Sequence, residues 1–443
     1  MLRGAFPAAH TCLMALLFLS LAILGLSLGG CQTAPKVPAD GLLLMVAATD
    51  DQARAWKSAA ELFTEESKVP VVVQIEEPAS YVERLKRALA SRRPPDVFLL
   101  ESSRIPEFAA RGVLLGLDSY VAKRKDVQPK DYYPVAWQAY QYRGQCYGLP
   151  HELHMLAVLF NEEHLDAKLL GRPRSDWTWQ EFLDMATTLT HDENDDGRID
   201  VYGAAPCPWW QVFVWQNGGD LVDDPANPTR STLSTPEARG GLQWLADLIL
   251  KHKAAPSPKV SGTESPAALF ASQRVSMAYL GRWDINLIDK KGFFPWGYRT
   301  LPKGKQQANL GTGTGLCLPT KAKSPENAFR LAAFLSAGSG QTVLLGGGFS
   351  SPAYIPLATS QYFSGETGQK GNAFYEGFAV ARPFPATPRY AEIAEVWETE
   401  LTALWNGEVS VDEVTARIDE RVNRLLSEAE PTTAWLIGVV PAG

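Results

Sequence analysis

From residue 42 onward, short apolar runs alternate with stretches of helical spacing. Residues 42–48, LLLMVAA, form an unbroken apolar run that predicts a buried strand. Residues 52–65 carry Ala55, Ala59 and Phe63 at four-residue spacing, which predicts a helix. Residues 69–75, VPVVVQI, are rich in β-branched side chains and predict a second strand. Residues 80–91 predict an amphipathic helix through Tyr81, Leu85 and Leu89. Pro94-Pro95-Asp96 then breaks the chain before VFLL, a third strand, and residues 104–111 start another helix. This rhythm predicts a parallel sheet with right-handed crossovers. Such sheets bind ligands beyond the carboxyl ends of their strands, which singles out Asp50, Asp51, Glu101 and Ser102.

A second α/β block follows residue 150. Thr178, with Glu181 three positions on, predicts a capping box opening a helix over 178–190. Thr235-Pro236-Glu237 opens another helix over 236–252, with Pro in its first turn. VSMAYL at 275–280 reads as a strand. A third stretch begins with residues 315–319 and a helix over 325–336, and long amphipathic helices follow over 389–405 and 411–428. There is no fixed-period repeat and no low-complexity tract.

The N-terminal pattern is different. LMALLFLSLAILGLSL at 13–28 is too short to span a membrane and follows a basic start, so residues 1–30 are expected to be a secretory signal peptide. Leu28-Gly29-Gly30-Cys31 resembles the bacterial lipobox, in which small residues precede a cut and the Cys thiol is acylated. Cys31 is therefore the expected lipidation site and residues 31–40 a polar, Pro-containing tether. No later apolar run reaches the ~18 residues of a spanning helix.

Length argues for two units or more. The net charge of −7 argues against a nucleic-acid partner, which calls for a basic face. Of five cysteines, Cys12 leaves with the signal and Cys31 carries lipid. Cys146, Cys207 and Cys317 leave room for one disulfide of unassigned pairing. No CxxC occurs, which disfavours a structural zinc site.

Several motifs then fall in a recognisable order. Tyr147-Gly148-Leu149-Pro150 with Leu159-Phe160-Asn161, Trp179-Gln180-Glu181-Phe182, Gln216-Asn217-Gly218-Gly219, Thr235-Pro236-Glu237-Ala238, FASQRVSMAYLGRW at 270–283 and Leu301-Pro302 with Gly304 together resemble the extracellular sugar-binding proteins of ABC importers, the maltose-binding-like group. Gln273 stands where that family usually has Gly. The resemblance implies a two-lobed periplasmic-binding-protein-like α/β fold (type II), each lobe a mixed sheet flanked by helices, with the ligand cleft between them. It implies an N-terminal lobe of 41–150 plus 311–350 and a C-terminal lobe of 151–310 plus 351–443. Crossings are expected near 149–153, 306–314 and 347–355, with Gly311–Gly315 and Gly346–Gly348 as candidate hinges.

The chain contains 13 Trp residues, and aromatic rings cover the flat C–H faces of sugars. Trp209, Trp210 and Trp283 fall in predicted loops and are candidate stacking platforms; the alternative is that they pack a loop onto its lobe. His151-Glu152-Leu153-His154 lacks the i, i+4 spacing of a zinc protease, and the resemblance implies a polar ligand contact at His154. Arg382 lies in a Pro-rich loop that is either cleft-facing or engaged in a surface ion pair. Asp192, Asn194 and Asp196, followed by Gly197, match the start of a calcium loop, but Gly203 stands at the twelfth position, where a bidentate Glu is expected. Calcium and a solvated acidic turn both remain open there. Gly25–Gly29 matches a hydrolase elbow only by chance within the signal, and Gly311–Gly315 lacks dinucleotide-site spacing. The expectation is a monomeric, lipid-anchored, extracytoplasmic solute-binding protein without a cofactor. It would capture a small carbohydrate and deliver it to an ABC transporter permease. A binder of polyamine, iron or amino acid, or a lipid-anchored glycoside hydrolase, is the alternative.

Overall fold

Leu42–Ala47 shows no polar alternation because it lies inside a sheet covered on both faces. The computed structural model describes residues 36–346, 351–359 and 376–428. The expected signal peptide, Cys31, and Gly347 and Gly348 of the third expected crossing lie outside them. Two main sheets are built from β1 (Leu42–Ala47), β2 (Val71–Glu76), β3 (Val97–Glu101), β4 (Gly148–Pro150), β5 (Leu156–Asn161), β6 (Tyr202–Ala204), β7 (Val275–Gly281), β8 (Trp296–Arg299) and β9 (Thr314–Cys317). The first sheet has the order β2-β1-β3-β9-β4 and the second the order β8-β5-β7-β6. The architecture is two-lobed α/β, as expected.

The first three strands are parallel, with Leu42 opposite Val71 and Leu44 opposite Val97. The parallel pairing stops there. β9 returns antiparallel to β3, and β4 joins antiparallel to β9, so the first sheet is mixed, as the resemblance implies. The helices Asp50–Ser67 and Pro325–Ala337 match their expected spans within two residues at each end. The second lobe has its own core. Thr178 caps the helix Trp179–Leu189 by accepting from Glu181 N (3.3 Å), while Glu181 accepts from Thr178 N (2.7 Å). β5 is a buried apolar run, LAVLFN, between β8 and β7.

Tryptophan abundance is largely a feature of this second core. Trp177, Trp215 and Trp397 are fully buried, and Trp179 stacks on Trp244 with ring centroids 4.6 Å apart. Gln273 adopts φ +60°, the left-handed region in which its Gly counterpart would be unstrained. Its side-chain oxygen accepts from Nδ2 of the buried Asn161 (3.2 Å), which in turn caps the helix Glu162–Ala167. The substitution alters the local bonding of a turn and leaves the fold intact. Cys146, Cys207 and Cys317 are all buried free thiols, so the disulfide left open above does not form among them.

Candidate functional site

The chain leaves the first sheet at β4 and enters the second at β5, and residues 151–155 make that passage. Residues 311–313 make the return, between the short strand Asn309–Leu310 and β9. The segments are tied backbone to backbone. His151 N and Glu152 N both donate to Thr314 O (2.9 and 3.0 Å), and His154 N donates to Thr312 O (2.7 Å). Leu153 N donates to Ser351 O (2.9 Å), which brings in a third segment. The Gly311–Gly315 run is explained here by approach rather than by left-handed φ. A Cβ on Gly313 would lie 2.0 Å from Glu152 O, and one on Gly315 would lie 2.4 Å from the Tyr140 ring.

Over this floor lies a cavity of about 400 Å³. Its floor is supplied by His151, Glu152, His154, Thr312 and Thr314, and one wall by Gln52, Trp56, Tyr81 and Glu101 of the first lobe. Trp209 and Trp283 close it from the second lobe. Trp283 follows β7 and lies directly over Gly281, where a Cβ would meet its ring at 2.1 Å. Trp209 meets Trp283 edge-on at 6.1 Å, and the His154 ring lies 5.1 Å from Trp283. Trp283 is 37% exposed, unusual for so large an apolar ring.

Glu152 is the electrostatic centre of the floor. Its two carboxylate oxygens face His151 Nε2 (3.4 Å) and His154 Nε2 (3.3 Å). Burial opposes its ionisation, but the bonds and proximity of the two imidazoles outweigh this and hold the carboxyl below the usual carboxylate range. His151 is buried, and its Nδ1 faces Leu335 O at 3.1 Å, so both of its ring nitrogens face acceptors. Beside Trp283, burial pushes the Asp284 carboxyl up to about 6, against the bond it accepts from Gly281 N (3.1 Å).

Of the residues singled out in the sequence, Glu101, His154, Trp209 and Trp283 line this cavity. The others do not. Trp210 is buried in the second core, edge-on to Trp397 at 5.5 Å, because the loop expected there turns inward one residue after Trp209. Ser102 is buried and shares a 3.0 Å hydrogen bond with Thr312 behind the cavity wall. Asp50 is exposed in the first turn of its helix and is not among the cavity residues, and Asp51 follows it in that turn. Arg382 pairs with Asp220 and lies over the Trp215 ring at 5.9 Å, within its own lobe. Asp192, Asn194 and Asp196 spend oxygens on the backbone of their own turn, as in Gly197 N to Asp192 (2.7 Å) and Asp196 N to Asn194 (2.9 Å). Among the described residues, no group of three or more His, Cys, Asp or Glu is placed to hold a metal ion.

The sequence reading missed Trp56, Glu152, Thr312 and Thr314. Trp56 lies in the second turn of the helix Asp50–Ser67, beyond the strand-end positions that singled out Asp50. Thr312 and Thr314 alternate with glycines whose missing side chains let the strands close.

Comparison with known proteins gives concordant results. The family model described as bacterial extracellular solute-binding protein matches residues 48–342. A maltotriose-binding protein of Pyrococcus abyssi is 24% identical over 225 residues, covering 49% of this chain and 44% of that protein. The chain thus spans less than half the length of that curated relative. An ABC substrate-binding protein of Listeria monocytogenes, solved in complex with cycloalternan, superposes with a TM-score of 0.79 at 22% identity, over 88% of this chain and 99% of that one. The GacH receptor of Streptomyces glaucescens, solved unliganded and with acarbose, gives a TM-score of 0.75 at 21% identity, over 88% and 100%.

Proposed function

Because the chain belongs to the bacterial extracellular solute-binding protein family, we propose that it captures a small carbohydrate in the cleft between its lobes and delivers it to an ABC transporter permease. The observation that carries this reading is the pairing of Trp283 and Trp209 with the acidic and hydroxyl groups of Glu101, Glu152 and Thr314 in one cavity. Rings cover the C–H faces of a sugar, and carboxylates and hydroxyls take its hydroxyl groups. The names of the similar proteins, which speak of maltotriose, cycloalternan and acarbose, agree with that chemistry.

No catalysis takes place in the cleft. Glycoside hydrolysis needs one carboxylic acid held protonated near neutral pH. Of the carboxyl groups that line the cavity, Glu152 is held ionised by its two imidazoles, the opposite of what a general acid requires, and the raised carboxyl of Asp284 accepts from Gly281 N and is not among the lining residues. The protein works as a monomer, without a cofactor, on the outer face of the membrane. A lipid on Cys31 tethers it there.

Calorimetric titration with mono- and oligosaccharides, with polyamines, amino acids and ferric iron as the contrasting set, tests the ligand class. A bound sugar at a hundred times its Kd stabilises the protein by about 2.7 kcal/mol. Binding of a contrasting solute and of no sugar would refute the reading. Chromatography of the recovered sugar tests the absence of turnover, and EDTA should leave the affinity unchanged. Fatty-acid labelling of wild type and Cys31→Ala tests the anchor; equal label on both would refute it.

A further inference from the structure

The cleft lining contains no Lys or Arg. Its acidic residues are Glu101 and Glu152, and its basic ones are the imidazoles of His151 and His154, both turned onto Glu152. The two carboxylates differ in their surroundings. Glu152 is faced by both imidazoles. Glu101 stands half-buried at the end of β3, and among the described residues no side-chain hydrogen bond or ion pair engages its carboxylate. Its neighbour across the strands is Thr314, in direct register, whose hydroxyl is buried and has no hydrogen-bond partner. A half-buried acceptor on the cavity wall, without a side-chain partner, therefore stands beside a hydroxyl that is itself buried and unpartnered. A half-buried carboxylate ordinarily has a partner.

We infer that Glu101 makes the cleft select by charge, so that it takes neutral or amino-bearing sugars and rejects sugars carrying carboxylate, sulfate or phosphate. This rests on the carbohydrate reading above and adds the charge class of the ligand. The Glu101 carboxylate accepts hydroxyl or ammonium protons from the ligand. A ligand carboxylate brought to the same place would leave two like charges in a cavity that water has left, with no lining Lys or Arg to offset them.

The test uses the full chain and a panel of neutral oligosaccharides, maltotriose and cellotriose among them, each also in its 6-amino and 6-carboxy (uronate) form. Titrations are run in dilute buffer and again in 0.5 M NaCl. The expected result is uronate affinity at least tenfold below that of the neutral parent, with amino forms bound as well as the parent or better. The gap should narrow in salt, which screens the repulsion, and in Glu101→Gln, which removes the charge and keeps the shape. The salt series needs no variant, so it decides the matter even if Glu101→Gln proves unstable. Uronates bound as tightly as their neutral parents would overturn the inference and leave the carbohydrate reading standing. A gap unchanged in both salt and Glu101→Gln would also overturn it. A panel on which no sugar of any charge binds would overturn both.

Discussion

Removing the Trp283 ring should weaken ligand binding by one and a half to three orders of magnitude. The ring is 37% exposed, and this exposed part faces the cavity. A tryptophan of ~250 Å² then offers roughly 90 Å² to a ligand. At about 25 cal/mol per Å² this contributes ~2 kcal/mol. Aromatic contact adds ~0.5–1.5 kcal/mol beyond area. The sum, ~2–4 kcal/mol, is a loss of roughly 30- to 1000-fold in affinity for Trp283→Ala. The rest of the ring packs on Gly281, Trp209 and His154, so this variant should also lose some stability. A second variant separates the two effects. Gly281 has φ −94°, which any residue tolerates, but a Cβ there would strike the ring at 2.1 Å. Gly281→Ala therefore displaces the ring while keeping it in the protein, and should weaken binding in the same direction. Calorimetric titration with the best sugar, and melting curves for both variants, check this. Two variants that bind as wild type while melting at lower temperature would show that Trp283 is packing alone and would sink the assignment.

Three further perturbations test other parts of the structure. Asp284, with its carboxyl raised to about 6, binds a proton more tightly folded than unfolded, so it costs no stability below about pH 4 and progressively more up to about pH 6. Asp284→Asn keeps an acceptor for Gly281 N and should raise the melting point at pH 7.5 but not at pH 4, with a gain of ~1–2 kcal/mol; an equal shift at both pH values would contradict this. Gln273→Ala keeps the left-handed backbone and takes the partner from buried Asn161, so it should cost ~1–3 kcal/mol in urea unfolding, whereas Gln273→Gly also relieves the backbone and should cost less; the reverse order would refute the account. Trp210→Ala empties a core site against Trp397 and should cost ~3–5 kcal/mol of stability with little change in the affinity of the folded protein; lost binding at full stability would return Trp210 to the cleft.

The lobes were largely legible in the sequence, while the cleft was legible only in part. β1, β2 and β3 could be read because each is an apolar or β-branched run bounded by a cap or a Pro pair. The return of β9 between β3 and β4 could not be read, since nothing local in Thr314–Cys317 says which strands it will join. Strand-end logic found Glu101 but also named Ser102, because alternation sends the next residue behind the wall. Loop position found Trp209 and Trp283 and misplaced Trp210 for the same reason. Glu152 was hidden by its own motif. His-Glu-Leu-His lacks the spacing of a zinc site, yet the side chains converge: the histidines close on the glutamate from either side.

The manner in which each group is held determines what its loss should do. The floor residues belong to segments bonded to one another through the backbone, with Gly313 permitting the approach of Glu152 O. Changes there disturb the passage between the lobes together with the ligand contacts, so affinity and stability should fall together. Trp283 rests on a single glycine beyond the end of β7, and Glu101 stands at the end of β3 with no side-chain bond to the floor. These two can be altered with far less disturbance of the sheets. Selectivity between sugars is therefore most cheaply changed at the strand ends, and the crossing floor, which carries chemistry and architecture at once, leaves the least room for substitution.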